Sequence, residues 1–474
     1  MKDVVYLFRR KVCEVMTDFD KALRDFEDLE ERLALPEWEV KGVYVWKLLR
    51  VPVFAEYLQK LGLFENLHPA KLEKRKRGVD ALKRLPKYLV SANPFFKGAR
   101  NPKRFIIPSG RKRLVAGRVV DPITSNLWED EASDDYLLLE KGGIDIGRRE
   151  KNQYSLEVIQ RIGWFLRKGK CIRFSSEDLY KINEIQRSLG VSDYMASAMK
   201  TRSVKKAIKN FLVQKALFEK LLNQRKPKYL YIVCAYGHEA FVAAAKDFGV
   251  ETVELQHGAI GRGHMGYDFK NWDEVPYFPN KIFAFGPAWF YGAALPKSAG
   301  LCFVGHPSFE KEVECQTSGL ERHSKTMLVL SQGSISDVLI REVVRFCELR
   351  KDWDVIYRPH PNEDSAHVRR FFELSYGGGN VWVDNKTSLV EQAAIANVAI
   401  GVYSSAIVEA LHMGCRVAVL QLGNSPDSIG ALIQSGDAAV FSSGQELADR
   451  IEEIPSGTAR DFYVEPVQDI LTLE

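Results

Sequence analysis

Short apolar runs alternate with amphipathic stretches of helical period through the second half of the chain. The runs TMLVLS, DVIYR, NVWVD, NVAIGV and RVAVL predict strands over 326–331, 354–358, 380–384, 397–402 and 416–420. Between them, helices are predicted over 337–349, 364–374, 388–396 and 405–413. Near-continuous apolar strands joined by helices read as a doubly wound parallel sheet with both faces covered. Ligands of such sheets bind at the carboxyl ends of the strands. The conspicuous polar groups fall there: Ser331-Gln332-Gly333-Ser334, Arg358-Pro359-His360-Pro361 and Ser404-Ser405.

The first half is less regular, with strands predicted at 104–108, 136–140, 171–174, 229–235, 252–256 and 281–285. Between 171 and 229 the apolar spacing of VKKAIKNFLVQKALFEKLLNQ suits a helix lying on a sheet. An α/β chain of two Rossmann-like domains follows. The first spans 1–305 with basic and helical insertions, a polar linker covers 306–324, and the second spans 325–474. The tail after a helix at 445–454 is expected to return to the first domain.

Composition agrees with two soluble cores, since 474 residues are 46% hydrophobic and 27% charged. No run reaches the ~20 apolar residues of a spanning helix, and VVYLF is broken at once by Arg9, Arg10 and Lys11. A cytoplasmic protein is expected. Seven scattered cysteines without a CxxC argue against a disulfide framework or a zinc site. With no DxD at a strand end and no HxH, neither a metal nor a cofactor is expected. The net charge of +5 is concentrated, because the stretch from Lys71 to Arg118 holds KLEKRKR, LKRLPK, KGARNPKR and GRKR against Glu73 and Asp80 alone. Without a nucleic-acid-binding motif, its expected partner is an anionic membrane surface, at about 1 kcal/mol per basic residue. A solvated face is the other reading.

Two successive strands of the first half end in polar, glycine-rich loops. Tyr236-Gly237-His238-Glu239 follows one and Gln256-His257-Gly258-Ala259-Ile260-Gly261-Arg262-Gly263-His264 the other. A histidine at such a rim is a candidate general base, and glycines let backbone N–H groups approach an anion. His257 leads, with His238 and Glu239 as alternatives and Gly258, Gly261 and Arg262 as the phosphate-side loop. In the second half, Arg358, His360 and Pro361 suit a phosphate leaving group; a salt bridge from Arg358 to Glu363 or Asp364 is the structural alternative. Ser404 and Ser405 open a helix and are either phosphate contacts or plain caps. Glu409 lies one helical turn further on, where its carboxylate can accept sugar or ribose hydroxyls. Gln332, Gly333 and Ser334 are nucleotide-contact candidates. His306-Pro307 reads as structural.

The ordered set LQHGAIGRGHMGY, FPNKIFAFGPAW, VGHPSF, SQGS, YRPHP and GVYSSAIVEALHMG resembles the GT-B nucleotide-sugar glycosyltransferases of bacterial capsule and lipopolysaccharide assembly. It is also similar to the CDP-glycerol polyol-phosphate transferases. The likeness spans about residues 225–425. It implies two Rossmann-like domains facing across a cleft, with donor held by the C-terminal one, acceptor by the N-terminal one, and displacement without a metal. By position, His257 matches the proposed base of HG-containing members. His360-Pro361 resembles the HP motif, and Ser404-Ser405 the serine motif, of sialic-acid and Kdo transferases. The acidic D/E-D/E-G motif of several sialyltransferases is not evident, which leaves UDP-sugars open beside CMP-sugars. The resemblance implies an inverting transferase acting on a lipid-linked glycan at the inner face of the bacterial plasma membrane. Alternatives are a sugar-nucleotide 2-epimerase, a CDP-glycerol-type transferase and a non-catalytic GT-B scaffold.

Overall fold

The computed structural model describes residues 17–63, 92–95, 101–110, 113–115, 118–128, 135–140, 152–191, 197–332, 335–361, 363–422, 429–467 and 470–473. Thirteen strands form the two sheets that organise them. In the first half these are β1 (Arg104–Ile107), β2 (Tyr136–Glu140), β3 (Gln153–Ser155), β4 (Tyr229–Val233), β5 (Glu251–Leu255), β6 (Lys281–Ala284) and β7 (Gly300–Phe303). The second half supplies β8 (Thr326–Leu330), β9 (Asp354–Arg358), β10 (Val381–Val383), β11 (Val398–Gly401), β12 (Arg416–Leu420) and β13 (Ala438–Phe441). The seven-stranded sheet runs β7-β6-β5-β4-β1-β2-β3 and the six-stranded sheet β10-β9-β8-β11-β12-β13. Every neighbouring pair within them is parallel.

Both orders begin in the middle, grow to one edge, then return and grow to the other. That is the dinucleotide-fold winding, and it opens a crevice between β1 and β4 in one sheet and between β8 and β11 in the other. The two Rossmann-like units expected of a GT-B chain are thus present. The central strands are apolar because helices cover both faces; all five residues of β8 and four of five in β12 are buried. Helices α1 (Thr17–Arg32), α2 (Val45–Lys60), α3 (Leu156–Leu166), α4 (Ser176–Leu189), α5 (Thr201–Arg225) and α6 (Glu239–Asp247) belong to the first half. The second carries α7 (Pro307–Thr317), α8 (Ser336–Leu349), α9 (Ser365–Ser375), α10 (Leu389–Ile395), α11 (Ala406–His412), α12 (Gly430–Gln434) and α13 (Gly444–Arg450).

One sequence expectation needs correction. Residues 171–174 form no strand: Ile172 is buried and Phe174 packs on the helical layer, so the alternation serves an extended segment without a ladder. The sheet position is taken instead by β3, which pairs with β2. Within the segment 306–324, α7 occupies the first part. Further on, Val464 N–H donates to the Phe285 carbonyl at 3.0 Å and Val467 N–H to the Val304 carbonyl at 3.0 Å. Those bonds tie the end of the chain to the first sheet, and Ile470 is buried in its core. The basic stretch from Lys71 lies largely outside the described residues, including Lys71–Arg77, Arg111 and Lys112.

Helices α1 and α2 are pinned by charge rather than by apolar contact alone. The Arg50 guanidinium meets Glu30 at 2.5 Å, each side chain 2% exposed. Trp46 Nε1 donates to the same carboxylate, while Arg50 Nη1 donates to the carbonyls of Met265 (3.0 Å) and Asp268 (2.5 Å). A buried pair saturated in this way is costly to break from one side. Arg50→Met should therefore lower the unfolding free energy by about 3–5 kcal/mol in urea titration; a midpoint equal to wild type would contradict the clamp.

Candidate functional site

The rim of the first sheet is shaped by what leaves β4 and β5. At the end of β4, Cys234 adopts φ +58, a left-handed conformation rare outside glycine, and turns the chain sharply. The turn presents Tyr236, whose hydroxyl lies 3.5 Å from His257 Nε2 beyond β5. Tyr236 also meets the rings of His264 and Tyr267 at 5.3 and 5.5 Å. Gly266 permits this crowding, because a Cβ there would lie 2.5 Å from the Tyr236 ring. Gly263, at φ +76, likewise has Phe19 where a side chain would project. The loop is further shaped by Gln256, buried at the end of β5. Its amide accepts from Phe285 N–H (2.7 Å) and donates to the Gly258 carbonyl (2.8 Å).

The other first-half candidates are tied into structure. His238 is buried and donates Nδ1–H to the Cys234 carbonyl at 3.0 Å, while Glu239 accepts from Gly237 N–H at 2.8 Å. Both build the turn into α6. Arg262 is held by Asp20 of α1 at 2.5 Å. The Gly261 carbonyl accepts from His264 N–H, and the space beside Gly258 is open. His264 accepts from Gly266 N–H, and burial drives its pKa down to about 4. His306 caps α7 through Nδ1 and stacks on Phe285 at 4.3 Å.

Beneath this rim is a buried group that the motifs did not single out. Glu254 sits in β5 with no exposed surface, and one carboxylate oxygen accepts from Ala235 N–H and from the Tyr267 hydroxyl. It thus joins the turn that carries Tyr236 to the loop that carries His264. Burial raises its pKa to about 7, against the lowering effects of the Tyr267 and Ala235 hydrogen bonds and of Lys47. Burial also lowers the Lys47 ammonium to about 8, and its Nζ lies over the Phe269 ring at 4.6 Å. A glutamate within the apolar run TVELQ was the available signal. The partners in α2 are too distant in sequence to have been read.

On the second sheet, the crevice between β8 and β11 is spanned by Gln332, whose Oε1 accepts from Tyr403 N–H at 3.2 Å. Ser404 and Ser405 follow directly. Ser404 Oγ accepts from Ala406 N–H at 3.3 Å, whereas the Ser405 side chain makes no capping bond. Glu409 is half-buried on α11. Arg358 donates to the Thr387 carbonyl (2.6 Å) and to Gln392 (2.8 Å). Glu363 instead receives His360 N–H and the Ser331 hydroxyl, which accepts from Tyr357. Asp364 caps α9. Pro361 is exposed in the turn, and Gly333 and Ser334 lie outside the described residues.

The units meet through one apolar cluster containing Phe285 and Trp289 from the first and Leu328, Leu330 and Ile407 from the second. Ala259, two residues after His257, packs against it, and Ile260 N–H donates to the Trp289 carbonyl. A separate cavity of about 870 Å³ opens beside edge strand β10, lined by Asp354, Trp382 and Gln392, and none of the candidate residues lines it. Among the described residues no three His, Cys, Asp or Glu side chains converge as metal ligands. No described helix is long and apolar enough to cross a membrane.

No family model matches the chain, and no curated protein does. Solved structures similar to it include the spinosyn rhamnosyltransferase, 10% identical over 78% of this chain and 99% of that one, with a TM-score of 0.46. The UDP-GlcNAc 2-epimerase of Methanocaldococcus jannaschii, in complex with UDP-GlcNAc and UDP, is 10% identical over 78% and 99% of the two chains, TM-score 0.43. A glycotransferase of kitacinnamycin is 12% identical over 76% and 92%, TM-score 0.42.

Glu254 makes stability depend on pH in a defined direction. Its folded pKa is raised, so the folded state holds the proton more tightly. The stability this contributes is fully present below about pH 4.5 and is lost as pH rises through about 7. The Glu254→Gln variant lacks this slope, while His264 contributes equally to both proteins. From pH 4.5 to 8, the unfolding free energy of wild type relative to the variant should fall by roughly 3 kcal/mol. Parallel pH profiles in urea would contradict it.

Proposed function

We propose that the chain is an inverting, metal-independent glycosyltransferase that takes a sugar from a UDP- or CMP-activated donor. The acceptor is a lipid-linked glycan at the inner face of a bacterial membrane. The observation that carries this reading is the placement of two sets of polar residues at the carboxyl ends of two dinucleotide-type sheets. Gln332 and Ser404-Ser405 flank the crevice of the second, and His257 with Tyr236 stands at the rim of the first. A loop that carries a base and abuts the donor-side unit is what direct displacement between two bound substrates requires.

In this mechanism His257 Nε2 removes the acceptor hydroxyl proton, and the oxygen attacks the anomeric carbon from the face opposite the nucleotide. The bond from that carbon to the donor phosphate oxygen breaks, and the nucleotide leaves with both electrons, inverting the centre. His360 and the backbone N–H groups of Ser404 and Ser405 stabilise the departing phosphate. Because Arg358 is engaged by Thr387 and Gln392, its part is to fix the start of α10 beside this rim and to add positive charge. Glu409 accepts sugar or ribose hydroxyls. Gly258 leaves space for the acceptor.

His257→Ala should lower turnover by about 10²–10⁴ with nucleotide affinity nearly unchanged. Near wild-type turnover would move the base elsewhere. Activity should also persist in EDTA; loss restored by magnesium or manganese would overturn the metal-free mechanism. Incubation with UDP-N-acetylhexosamine alone should return it unaltered, whereas a changed sugar without acceptor would identify an epimerase.

A further inference from the structure

We infer that the carboxyl-terminal tip of α3 is an interfacial anchor that seats the protein on an anionic lipid surface. The inference deepens the proposed use of a membrane-borne acceptor and rests on that reading for its purpose, though not for its geometry. Helix α3 crosses α5 at Gly163, where an added Cβ would touch Val213 and Leu217 at 3.6 and 3.8 Å. Beyond that crossing the helix leaves the core. Trp164, Phe165 and Leu166 are 46%, 58% and 53% exposed. Most large apolar side chains on this protein are buried, so three exposed in succession are a departure that calls for a cause.

Their succession decides what can cover them. Adjacent helical positions are about 100° apart, so three in a row sweep about 200° of the helix circumference. A groove on a protein receives positions i, i+3, i+4 and i+7 from one side of a helix. A fluid apolar medium accepts side chains in every direction at once. Trp and Phe at a tip next to cations are also the composition of the water–lipid boundary, where an amphipathic ring and a snorkelling basic side chain are both satisfied.

The surrounding charge names the kind of lipid. Arg167, Lys168, Lys170 and Arg173 follow the tip without an intervening acid, while Arg161 is paired with Glu157 at 3.0 Å. Arg167 lies over the Trp164 ring at 5.7 Å and donates to Asn210 of α5 at 3.0 Å, which holds the guanidinium at the base of the tip. Beyond it, Lys205 of α5 lies over the Phe174 ring at 5.1 Å. Apolar insertion followed by a run of cations matches a bilayer bearing negative headgroups.

Sedimentation with vesicles tests this without donor or acceptor, so failure of the proposed reaction leaves the result standing and the reverse also holds. Wild type should pellet with phosphatidylglycerol vesicles at low salt and remain in solution with phosphatidylcholine. Changing Trp164, Phe165 and Leu166 to Ser should lower the bound fraction by about tenfold or more at unchanged melting temperature. The single Phe165→Ser variant should show an intermediate loss and guards against misfolding of the triple. Arg167→Gln combined with Lys170→Gln and Arg173→Gln should weaken binding and reduce its dependence on salt. Equal sedimentation of wild type and the Ser variants overturns the proposal. So does equal binding to both lipids. A wild-type dimer in analytical ultracentrifugation that becomes monomeric in the Ser variants would assign the tip to a second copy of the chain and equally overturn it.

Discussion

The buried Arg50–Glu30 pair is the constraint on which the rest of the rim depends. A guanidinium and a carboxylate removed from water are tolerated only when nearly every donor and acceptor is used. Here the pair meets that condition by reaching from α2 to α1 and to the backbone at 265 and 268. The loop after β5 has little regular structure of its own, so its shape is imposed by these bonds, by the Arg262–Asp20 ion pair and by Asp268, which accepts from Gly263 N–H and Ala294 N–H. Tyr236, His257, His264 and Tyr267 converge because that loop cannot relax.

Glu254 is the second determinant, acting from below. Its carboxylate ties the β4 exit to the loop, and its burial beside Lys47 places two titrating groups near neutrality under the rim. The rim of the second sheet is built differently, by the winding of that sheet and by hydrogen bonds between the loops of neighbouring strands. Gln332 links the β8 and β11 loops, and the Ser331–Glu363 bond links those after β8 and β9. One rim depends on buried charge brought from α1 and α2, the other on hydrogen bonds between neighbouring strand ends.

That difference explains what could be read in the sequence. The strands and helices of the second half follow from local periodicity, and the expected strands at 354–358 and 416–420 coincide with β9 and β12. In the first half, β3 and β7 are short and weakly apolar, and they take their places through parallel pairing with the strands that precede them, β2 and β6. Motif reading brought out His257 and Gln332 because glycines and polar residues at strand ends are local signals. It passed over Tyr267 and Glu254, whose bond joins the loop to β5, and Lys47 and Arg50, whose roles arise only when α2 is laid against that loop. It also left the role of Arg358 open; its partners Thr387 and Gln392 lie beyond α9 and β10 in the chain.

The central claim is that a nucleotide occupies the crevice between β8 and β11. Calorimetric titration of UDP, CDP and CMP into the wild-type chain and into Gln332→Ala tests it most directly. The account predicts one saturable site for at least one of the three and a loss of about tenfold or more in affinity when the Gln332 bridge is removed, a change of about 1.4 kcal/mol. Absence of binding by all three, or the same affinity in the variant, would contradict it.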